Sequence, residues 1–357
     1  MIEQVTLSNA AALDEFVLAH PNGHFMQTSL WGRVKTDWPW HGLILRGADG
    51  QIRGTVALLE HKMHLVGTRF FYAPRGPVWT RGDDQTFRDL IDAAKTYAKK
   101  HGGCFLRFDP EVPEEDTAFA DLARSMGFSI DAATDFSLYQ PRLVYISDLT
   151  GLTPETLESI YHRTCRTKIH RAQRGPLVVR TGTTADLDDF HVMMEATAAK
   201  NHFSARSTTY FRELLEGLGD HGVLYLAELD GKPMAGSIAC YAGQTASFLY
   251  GCSLPSEQNL NGTELLQWHM QAEAIRRGCT RFDFRGVEGL PTEDNPVYGL
   301  HRYKQGFGAK YVAWVGQMDL IVKPLAAKLT YAIMNRRKTG QIVAPEKKDE
   351  AQQTEAK

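Results

Sequence analysis

The chain of 357 residues repeats one order of secondary-structure signals, and this repetition limits its possible folds more than any other property. Asp-Gly turn signals at residues 49–50 and 230–231 lie 181 residues apart. Gly102 and Gly278, each at the end of a helical pattern, lie 176 residues apart. Because order and spacing are both kept, the sequence predicts two tandem α/β domains, each with a mixed sheet.

The predicted elements are clearest in the second copy. The apolar patterns predict strands at 224–229, 233–241 and 246–251 and a further strand at 279–284. Between them, apolar residues at helical spacing predict a helix at 263–277. The first copy shows the same order at 52–59, 69–76, 87–100 and 104–109. This order of strand, hairpin, strand, helix and strand is similar to the fold of the Gcn5-related N-acetyltransferases.

The boundary between the copies is expected near residues 141–154, a turn-rich stretch. It ends in Thr153 and Pro154, which suit the cap and the first residue of a helix. A later stretch at 311–335 contains a strand-like run and a helix, and by pattern alone it can return to either domain. Residues 338–357 are polar and are expected to form a disordered tail.

Composition excludes several classes of protein. With 43% hydrophobic residues, 23% charged residues and a net charge of −2, the chain is neither fibrous nor largely disordered. No apolar run approaches the ~20 residues of a membrane span, and no signal peptide is visible. Five cysteines without paired spacing suit free thiols in a reducing compartment, so we expect a cytoplasmic protein.

Cations are concentrated in residues 159–184, which contain six Lys or Arg and no acid. Tyr161, Cys165 and Ile169 recur every four residues, so one helix face is expected to pack while the cations cover the rest. One interpretation is a solvated face neutralised by acids elsewhere. We favour a surface that binds the phosphates of a nucleic acid or of a large phosphorylated ligand. The cations assigned to it are Arg163, Arg166, Lys168, Arg171 and Arg174.

A second cluster lies at residues 285–308, after a strand end, and is dense in glycines, aromatic residues and cations. Glycines let a backbone approach a ligand closely. Lys304 suits the stabilisation of a developing oxyanion, and its apolar neighbours are expected to desolvate it. The alternative is a structured loop that packs its aromatic side chains, Tyr303 among them, into the core.

A third cluster contains Trp31 and Lys35, which share a face if this segment is helical. A base can then stack on Trp31 while Lys35 contacts a phosphate; alternatively, Trp31 is buried and Lys35 is exposed. Asp109 follows a predicted strand and is either a general base or a turn former.

Several common motifs are missing from the sequence. It has no CxxC pair, HExxH, GxGxxG, Walker loop or GxSxG, so metal and nucleotide cofactors are not expected. Coenzyme A-binding members of the Gcn5-related fold carry a glycine-rich pyrophosphate loop at the start of the central helix. Here the matching stretch at 258–264 has its only glycine one position late, and the first copy has acids there. We therefore expect no coenzyme A.

Three stretches together resemble the FemABX family of peptidoglycan aminoacyltransferases, which take an amino acid from aminoacyl-tRNA. They are residues 27–35, residues 72–77, and residues 283–289 with their continuation at 298–308. The resemblance implies two tandem Gcn5-related N-acetyltransferase-like domains. The N-terminal domain would be residues 1–147 completed by 312–337, the C-terminal domain residues 148–311, and the disordered tail residues 338–357.

The resemblance also implies roles for individual residues. Lys35 matches the precursor-binding lysine, Asp109 an acid at the peptide end, and Lys304 a lysine near the transition state. The substrate-binding set is Trp31, Lys35, Arg75, Ser204, Arg206, Tyr210, Tyr250 and Tyr303. Members that act on lipid-linked precursor often carry a coiled-coil arm in the second domain that assists tRNA binding. The interval 185–210 is too short for one, which puts more weight on the basic segment.

An aminoacyl ester is already activated, so an amine of the stem peptide can attack it without an enzyme nucleophile. Lys304 would bind the oxyanion or the tRNA terminus, while Asp109 would orient or deprotonate the amine or would be merely structural. The expected partners are aminoacyl-tRNA and a UDP-linked or lipid-linked muramyl pentapeptide, with peripheral membrane contact and no DNA. Two alternatives remain open: a different amine acceptor, such as a peptide natural product, and a non-catalytic protein that binds RNA or precursor.

Overall fold

The computed structural model describes residues 1–256 and 260–338. The strands are β1 (Ile2–Val5), β2 (Trp40–Arg46), β3 (Ile52–Met63), β4 (Thr68–Ala73), β5 (Val78–Trp79), β6 (Gly103–Phe108), β7 (Phe128–Asp131), β8 (Leu143–Asp148), β9 (Val178–Thr181), β10 (Gly222–Leu229), β11 (Lys232–Ala242), β12 (Thr245–Ser253), β13 (Arg281–Gly286), β14 (Lys310–Ala313) and β15 (Gln317–Ile321). The helices are α1 (Ala11–Ala19), α2 (Ser29–Val34), α3 (Asp84–Lys100), α4 (Thr117–Ser125), α5 (Arg163–Gln173), α6 (Leu187–Asn201), α7 (Thr208–Leu218), α8 (Gly262–Arg276), α9 (Tyr298–Gly306) and α10 (Pro324–Lys338).

The two sheets have the same order of strands and the same directions. The first runs β1-β2-β3-β4-β6-β15-β7, with β5 paired to β3. The second, read from the matching edge, runs β9-β10-β11-β12-β13-β8-β14. Each described sheet has one parallel pair at its centre, β4 with β6 and β12 with β13. The two-copy mixed α/β fold is therefore confirmed. We call each sheet with the helices that cover it the first and the second module.

The predicted hairpin at residues 230–231 is present. It joins β10 to β11, and Asp230 and Gly231 have φ angles of 50° and 75°. Two successive residues with positive φ form a type I′ turn, whose twist matches that of the flanking strands. The predicted helix behind Thr153 is absent, because Thr153 and Thr156 bond each other's backbone and form a turn that leads to a short 3-10 helix at Leu157–Ile160.

The modules exchange one strand each. The position beside β6 in the first sheet is filled by β15, from the C-terminal end of the described chain. The matching position beside β13 is filled by β8, which follows β7 along the chain. The predicted boundary at 147/148 therefore falls at the end of a strand of the second sheet, and that sheet extends through β14 beyond residue 311. Of the predicted tail 338–357, Lys338 ends α10, and residues 339–357 lie outside the described residues.

Three apolar clusters follow from this arrangement. One packs α3 and α4 against the outer face of the first sheet, and another packs α5 and α8 against the outer face of the second. The third lies between the sheets and includes residues of α1, α2, α6, α7 and α10. All five cysteines are free, as the sequence predicts, and all five are buried. The two modules therefore share one core.

Gly217 allows the modules to approach closely. A Cβ atom at this position of α7 would lie 2.8 Å from the backbone nitrogen of Val34, at the end of α2. Any other residue would force these two helices apart.

A buried ion pair fastens β15 to the first sheet. The Arg107 guanidinium on β6 donates two hydrogen bonds, of 2.8 and 2.6 Å, to the Asp319 carboxylate on β15. The Tyr331 hydroxyl on α10 donates a third, of 2.8 Å, to the same carboxylate. Arg107 is only 4% exposed, so its charge depends on this partner.

We expect Asp319→Ala to lower the free energy of unfolding by about 3–5 kcal/mol, since it leaves a buried guanidinium without its partner. The matched control is Asp121→Ala, which removes the exposed pair between Asp121 and Arg124 and should cost less than about 1 kcal/mol. Urea unfolding of both variants measures the difference. Equal costs would contradict the importance assigned to the β6–β15 pair.

Candidate functional site

A cavity of about 460 Å³ opens between the two modules. Its walls come from α2, β3 and β4 of the first module, from α7, β12 and β13 of the second, and from the segment that joins β7 to β8. The lining residues are Met26, Trp31, Lys35, Trp38, Leu59, Tyr72, Tyr139, Gln140, Arg206, Tyr210, Leu214, Leu249, Tyr250 and Arg285. The structure thus brings together five of the eight predicted substrate-binding residues.

Lys35 lies between aromatic rings of both modules. It follows α2 directly, and its amide donates a 2.9 Å hydrogen bond to the Trp31 carbonyl. Its ammonium lies 4.9 Å from the ring centre of Trp31 and 5.0 Å from that of Tyr210. Burial, and then the neighbouring Arg206 charge, lower the pKa of Lys35 to about 8. An anion that enters the cavity would favour the charged form of this lysine.

A second cation faces Lys35 from the other module. The Arg206 guanidinium lies 5.3 Å from the Tyr210 ring, and the Tyr250 hydroxyl donates a 3.1 Å hydrogen bond to the Tyr210 hydroxyl. Two cations and several aromatic faces are suited to a ligand that combines phosphate with flat or apolar groups. Ser204 is exposed in the segment before α7 and does not line this cavity.

Asp109 and Arg75 lie behind the cavity wall. Asp109 is 3% exposed; it accepts hydrogen bonds from the Tyr72 hydroxyl at 2.5 Å and from the Arg75 amide at 2.6 Å. Burial raises the pKa of this carboxyl group. The Arg75 guanidinium donates to the Pro141 carbonyl at 2.8 Å. Asp109 therefore reaches the cavity only through Tyr72.

Lys304 is buried in α9, one layer behind the same cavity. Its ammonium donates to the carbonyls of Arg285, at 3.0 Å, and Gly286, at 2.7 Å. Burial lowers its pKa to about 7. Arg285 lines the cavity, has a φ of 61°, and donates to the Gln140 side chain at 2.6 Å. The strained Arg285 backbone thus connects Lys304 to the cavity wall.

A larger cavity, of about 790 Å³, lies between α5 and α9. Its lining includes Cys165, Lys168, Glu264 and Tyr303, so Tyr303 lies here and not in the first cavity. The Lys168 ammonium donates to the Glu264 carboxylate at 2.7 Å. Glu264 lies in the first turn of α8, where it would repel a phosphate. Residues 258 and 259 of the stretch compared with a pyrophosphate loop lie outside the described residues.

Residues 163–173 of the basic segment form α5, whereas Tyr161, expected on the packing face of the helix, is buried just before it. Cys165, Ile169 and Ala172 are buried against the second module. Arg163, Arg171 and Arg174 are exposed, and Arg166 is half-buried. Within residues 1–256 and 260–338, none of these four arginines has a carboxylate within 4 Å, whereas Lys168 does. Their positive charge is therefore available to an anion.

Three groups between the modules, His24, Glu111 and Asp283, place possible ligand atoms within 4.8 Å of one another. They do not fit a metal ion. The His24 Nδ1 atom accepts a hydrogen bond from the Met26 amide, so the neutral ring carries its proton on Nε2, the atom nearer Glu111. The charges of Arg285, Arg75 and Arg281 also act on His24 in this cluster, and they would repel a cation.

Sequence reasoning missed several residues of the first cavity. Tyr139 and Gln140 lie in the segment before β8, which has no periodic pattern. Arg285 lies within the stretch 283–289, at the end of a strand and before a glycine. Its position at a strand end could have marked it as a candidate site residue. In the part of the chain that the structure describes, no helix is long and apolar enough to cross a membrane.

Comparisons with known proteins agree with this architecture. The model of the FemAB family matches residues 9–233 and 230–335. A lipid II:glycine glycyltransferase of Staphylococcus aureus (strain bovine RF122 / ET3-1) is 24% identical, over 87% of this chain and 90% of that protein. The same-named protein of Staphylococcus epidermidis (strain ATCC 12228 / FDA PCI 1200) is 23% identical, over 90% and 93%.

Two solved structures show the same fold. The crystal structure of FemX has a TM-score of 0.84 at 20% identity and covers 92% of this chain and 99% of its own. A tandem GNAT protein from the clavulanic acid biosynthesis pathway has a TM-score of 0.54 at 13% identity and covers 90% and 99%. These likenesses support the two-module architecture.

The buried position of Lys304 predicts an unusual dependence of stability on pH. Its folded-state pKa of about 7 lies below its ordinary value of 10.5, so between these values the unfolded chain binds more protons. Relative to Lys304→Met, the wild type should gain up to about 1.4 kcal/mol of stability per pH unit from pH 7 to about 10. Urea unfolding of both proteins across this window measures the gain, and a constant difference would contradict it.

Proposed function

Because this chain belongs to the FemAB family, we propose that it transfers an amino acid from aminoacyl-tRNA to an amine of the stem peptide of a peptidoglycan precursor. The observation that carries the proposal is the cavity between the modules, where Lys35 and Arg206 lie among aromatic rings. The name of the relatives, lipid II:glycine glycyltransferase, supports this acceptor class. Such a reaction would take place in the cytoplasm, where charged tRNA is found.

The first cavity suits the precursor. Both the UDP-linked and the lipid-linked form of a muramyl pentapeptide carry a diphosphate, which the charges of Lys35 and Arg206 can bind. Tyr210 and Tyr250 offer hydroxyl groups and rings to the neighbouring sugar or peptide. Asp109 would act as a positioning residue, because it holds Tyr72 in the cavity wall and does not reach the substrate itself.

The second cavity and α5 suit the charged tRNA. Exposed arginines without acidic partners bind a phosphate backbone through counterion release. Tyr303 in the cavity beside α5 offers a ring for the terminal base of the tRNA. Lys304 follows Tyr303 in α9 and contacts the Arg285 backbone in the wall of the first cavity. Lys304 therefore lies between a neighbour that lines the second cavity and a backbone that lines the first.

The chemistry needs placement and charge. The amine nitrogen attacks the ester carbonyl, the carbon–oxygen bond to the tRNA breaks, and the proton lost by the amine is taken up by the released tRNA oxygen, which becomes a hydroxyl. In this scheme Lys304 provides positive charge from behind the Arg285 backbone; to stabilise the tetrahedral oxyanion or bind the tRNA terminus directly, its ammonium would have to leave the Arg285 and Gly286 carbonyls. Cys165 lies in the second cavity, but burial raises the pKa of its thiol to about 12, so little thiolate forms at neutral pH. Direct attack is therefore favoured over a thioester intermediate.

The direct test incubates the full chain with muramyl pentapeptide precursor and a pool of charged tRNAs, followed by mass spectrometry of the precursor. We expect a mass increase of one amino-acid residue that depends on both substrates. Transfer to another amine, with the precursor unchanged, would refute the proposed acceptor. Transfer from a free amino acid or from coenzyme A would refute the proposed donor.

Lys35→Gln should raise the KM for the precursor about tenfold or more and leave kcat nearly unchanged, because it removes a charged contact to bound precursor. The control is Lys99→Gln at an exposed position of α3, which should leave both constants as in the wild type. Steady-state kinetics at saturating charged tRNA make the measurement. An unchanged KM in the Lys35 variant would contradict its assignment.

Charge reversal on α5 tests the tRNA surface. Replacing Arg166, Arg171 and Arg174 by Glu should weaken tRNA binding at least about a hundredfold and reduce its salt dependence, since phosphate contacts are lost. The matched control reverses Arg88, Lys95 and Lys99, exposed cations of α3 in the first module. Filter binding at several salt concentrations compares the two variants. Equal affinities would remove α5 from the tRNA site.

A further inference from the structure

The outer face of α10 exposes an apolar row that packs against nothing described. Leu325 is 87% exposed and Leu329 is 48% exposed, and Ala332 continues the same row at helical spacing. The opposite face is anchored, with Ala327 and Thr330 buried on the first sheet. The exposed leucines therefore belong to a helix that is already in place.

The sequence around this row is positively charged. Residues 320–345 contain five Lys or Arg and no acid. Lys323 and Lys328 are exposed, and in the described part of the chain neither has a carboxylate within 4 Å. Lys323 immediately precedes α10, and Lys328 lies within it between the two leucines. Exposed leucines with cations beside them are typical of a helix that lies in a membrane interface.

We propose that the outer face of α10 docks the protein on the surface of a bilayer that contains anionic lipids. Leu325 and Leu329 would enter the boundary between headgroups and acyl chains, while Lys323 and Lys328 contact the anionic headgroups. A second copy of the chain fits less well, because a symmetric contact would place the same cations against each other. A nucleic acid would match the cations but would leave the leucines in water.

The rigid attachment of α10 supports this role. The Thr330 hydroxyl lies 2.8 Å from that of Thr68 on β4, and the Tyr331 ring stacks on Phe105 of β6 at 4.7 Å. Because the helix is held on the first sheet, docking requires no folding step. The inference rests partly on the proposed function, since a lipid-linked acceptor would be presented at a membrane surface.

The test is co-sedimentation of the full chain with sucrose-loaded vesicles, made of phosphatidylcholine alone or with about 30% phosphatidylglycerol. We expect binding to the anionic vesicles and at least tenfold weaker binding to the neutral ones. Raising the salt to about 0.5 M should release much of the bound protein. Equal binding to both kinds of vesicle, or to neither, would overturn the proposal.

Two variants separate the contributions. Lys323→Glu with Lys328→Glu removes the charge, and Leu325→Ser with Leu329→Ser removes the apolar row; each should weaken binding to anionic vesicles about tenfold or more. The control, Val178→Ser with Val192→Ser, changes two exposed valines of the second module and should bind as the wild type does. The proposal would be overturned if both variants bound vesicles as the wild type does. It would also be overturned if the variants kept vesicle binding but lost self-association of the chain.

Activity distinguishes this inference from the proposed function. The α10 variants should transfer normally to soluble UDP-linked precursor and poorly to lipid-linked precursor in vesicles. Vesicle binding without any transfer by the wild type would refute the proposed function and leave the docking surface in place. Transfer to UDP-linked precursor without vesicle binding would refute the docking surface and leave the proposed function in place.

Discussion

The exchange of β8 and β15 between the sheets determines how the rest of the structure is arranged. Each sheet is completed by a strand that the chain would supply to the other sheet in a simple tandem repeat. The modules are therefore held together by backbone hydrogen bonds, by the Arg107–Asp319 pair and by a shared apolar cluster. With this fixed arrangement, and with α2 and α7 in close contact at Gly217, one cavity can take its walls from both modules.

Charge is distributed over this frame in a way that suits two anionic substrates. Lys35 and Arg206 face the first cavity, the arginines of α5 lie beside the second, and Lys304 is buried between them. A lysine against two carbonyls, with its pKa lowered to about 7, gains most from an anion brought close to it. The arrangement supplies electrostatic stabilisation where the proposed oxyanion would form, and it needs no nucleophilic side chain.

Local sequence signals predicted the repeated fold because turns and helix ends depend on neighbouring residues. Asp230 and Gly231 form the expected turn, and Trp31 and Lys35 share a face as their spacing indicated. The strand exchange could not be predicted, because no local feature of β8 or β15 indicates which strand it pairs with. For the same reason, the sequence did not show that Asp109 lies behind Tyr72, that Ser204 lies outside the cavity, or that Arg285 connects Lys304 to it. The role of each residue stays a prediction.

The central claim is that both substrates are bound at the same time and react directly with each other. Initial-rate kinetics test it most directly, with charged tRNA and precursor varied together. Simultaneous binding predicts double-reciprocal plots whose lines intersect. Parallel lines would show that the amino acid first forms a covalent bond with the enzyme, and would contradict the account.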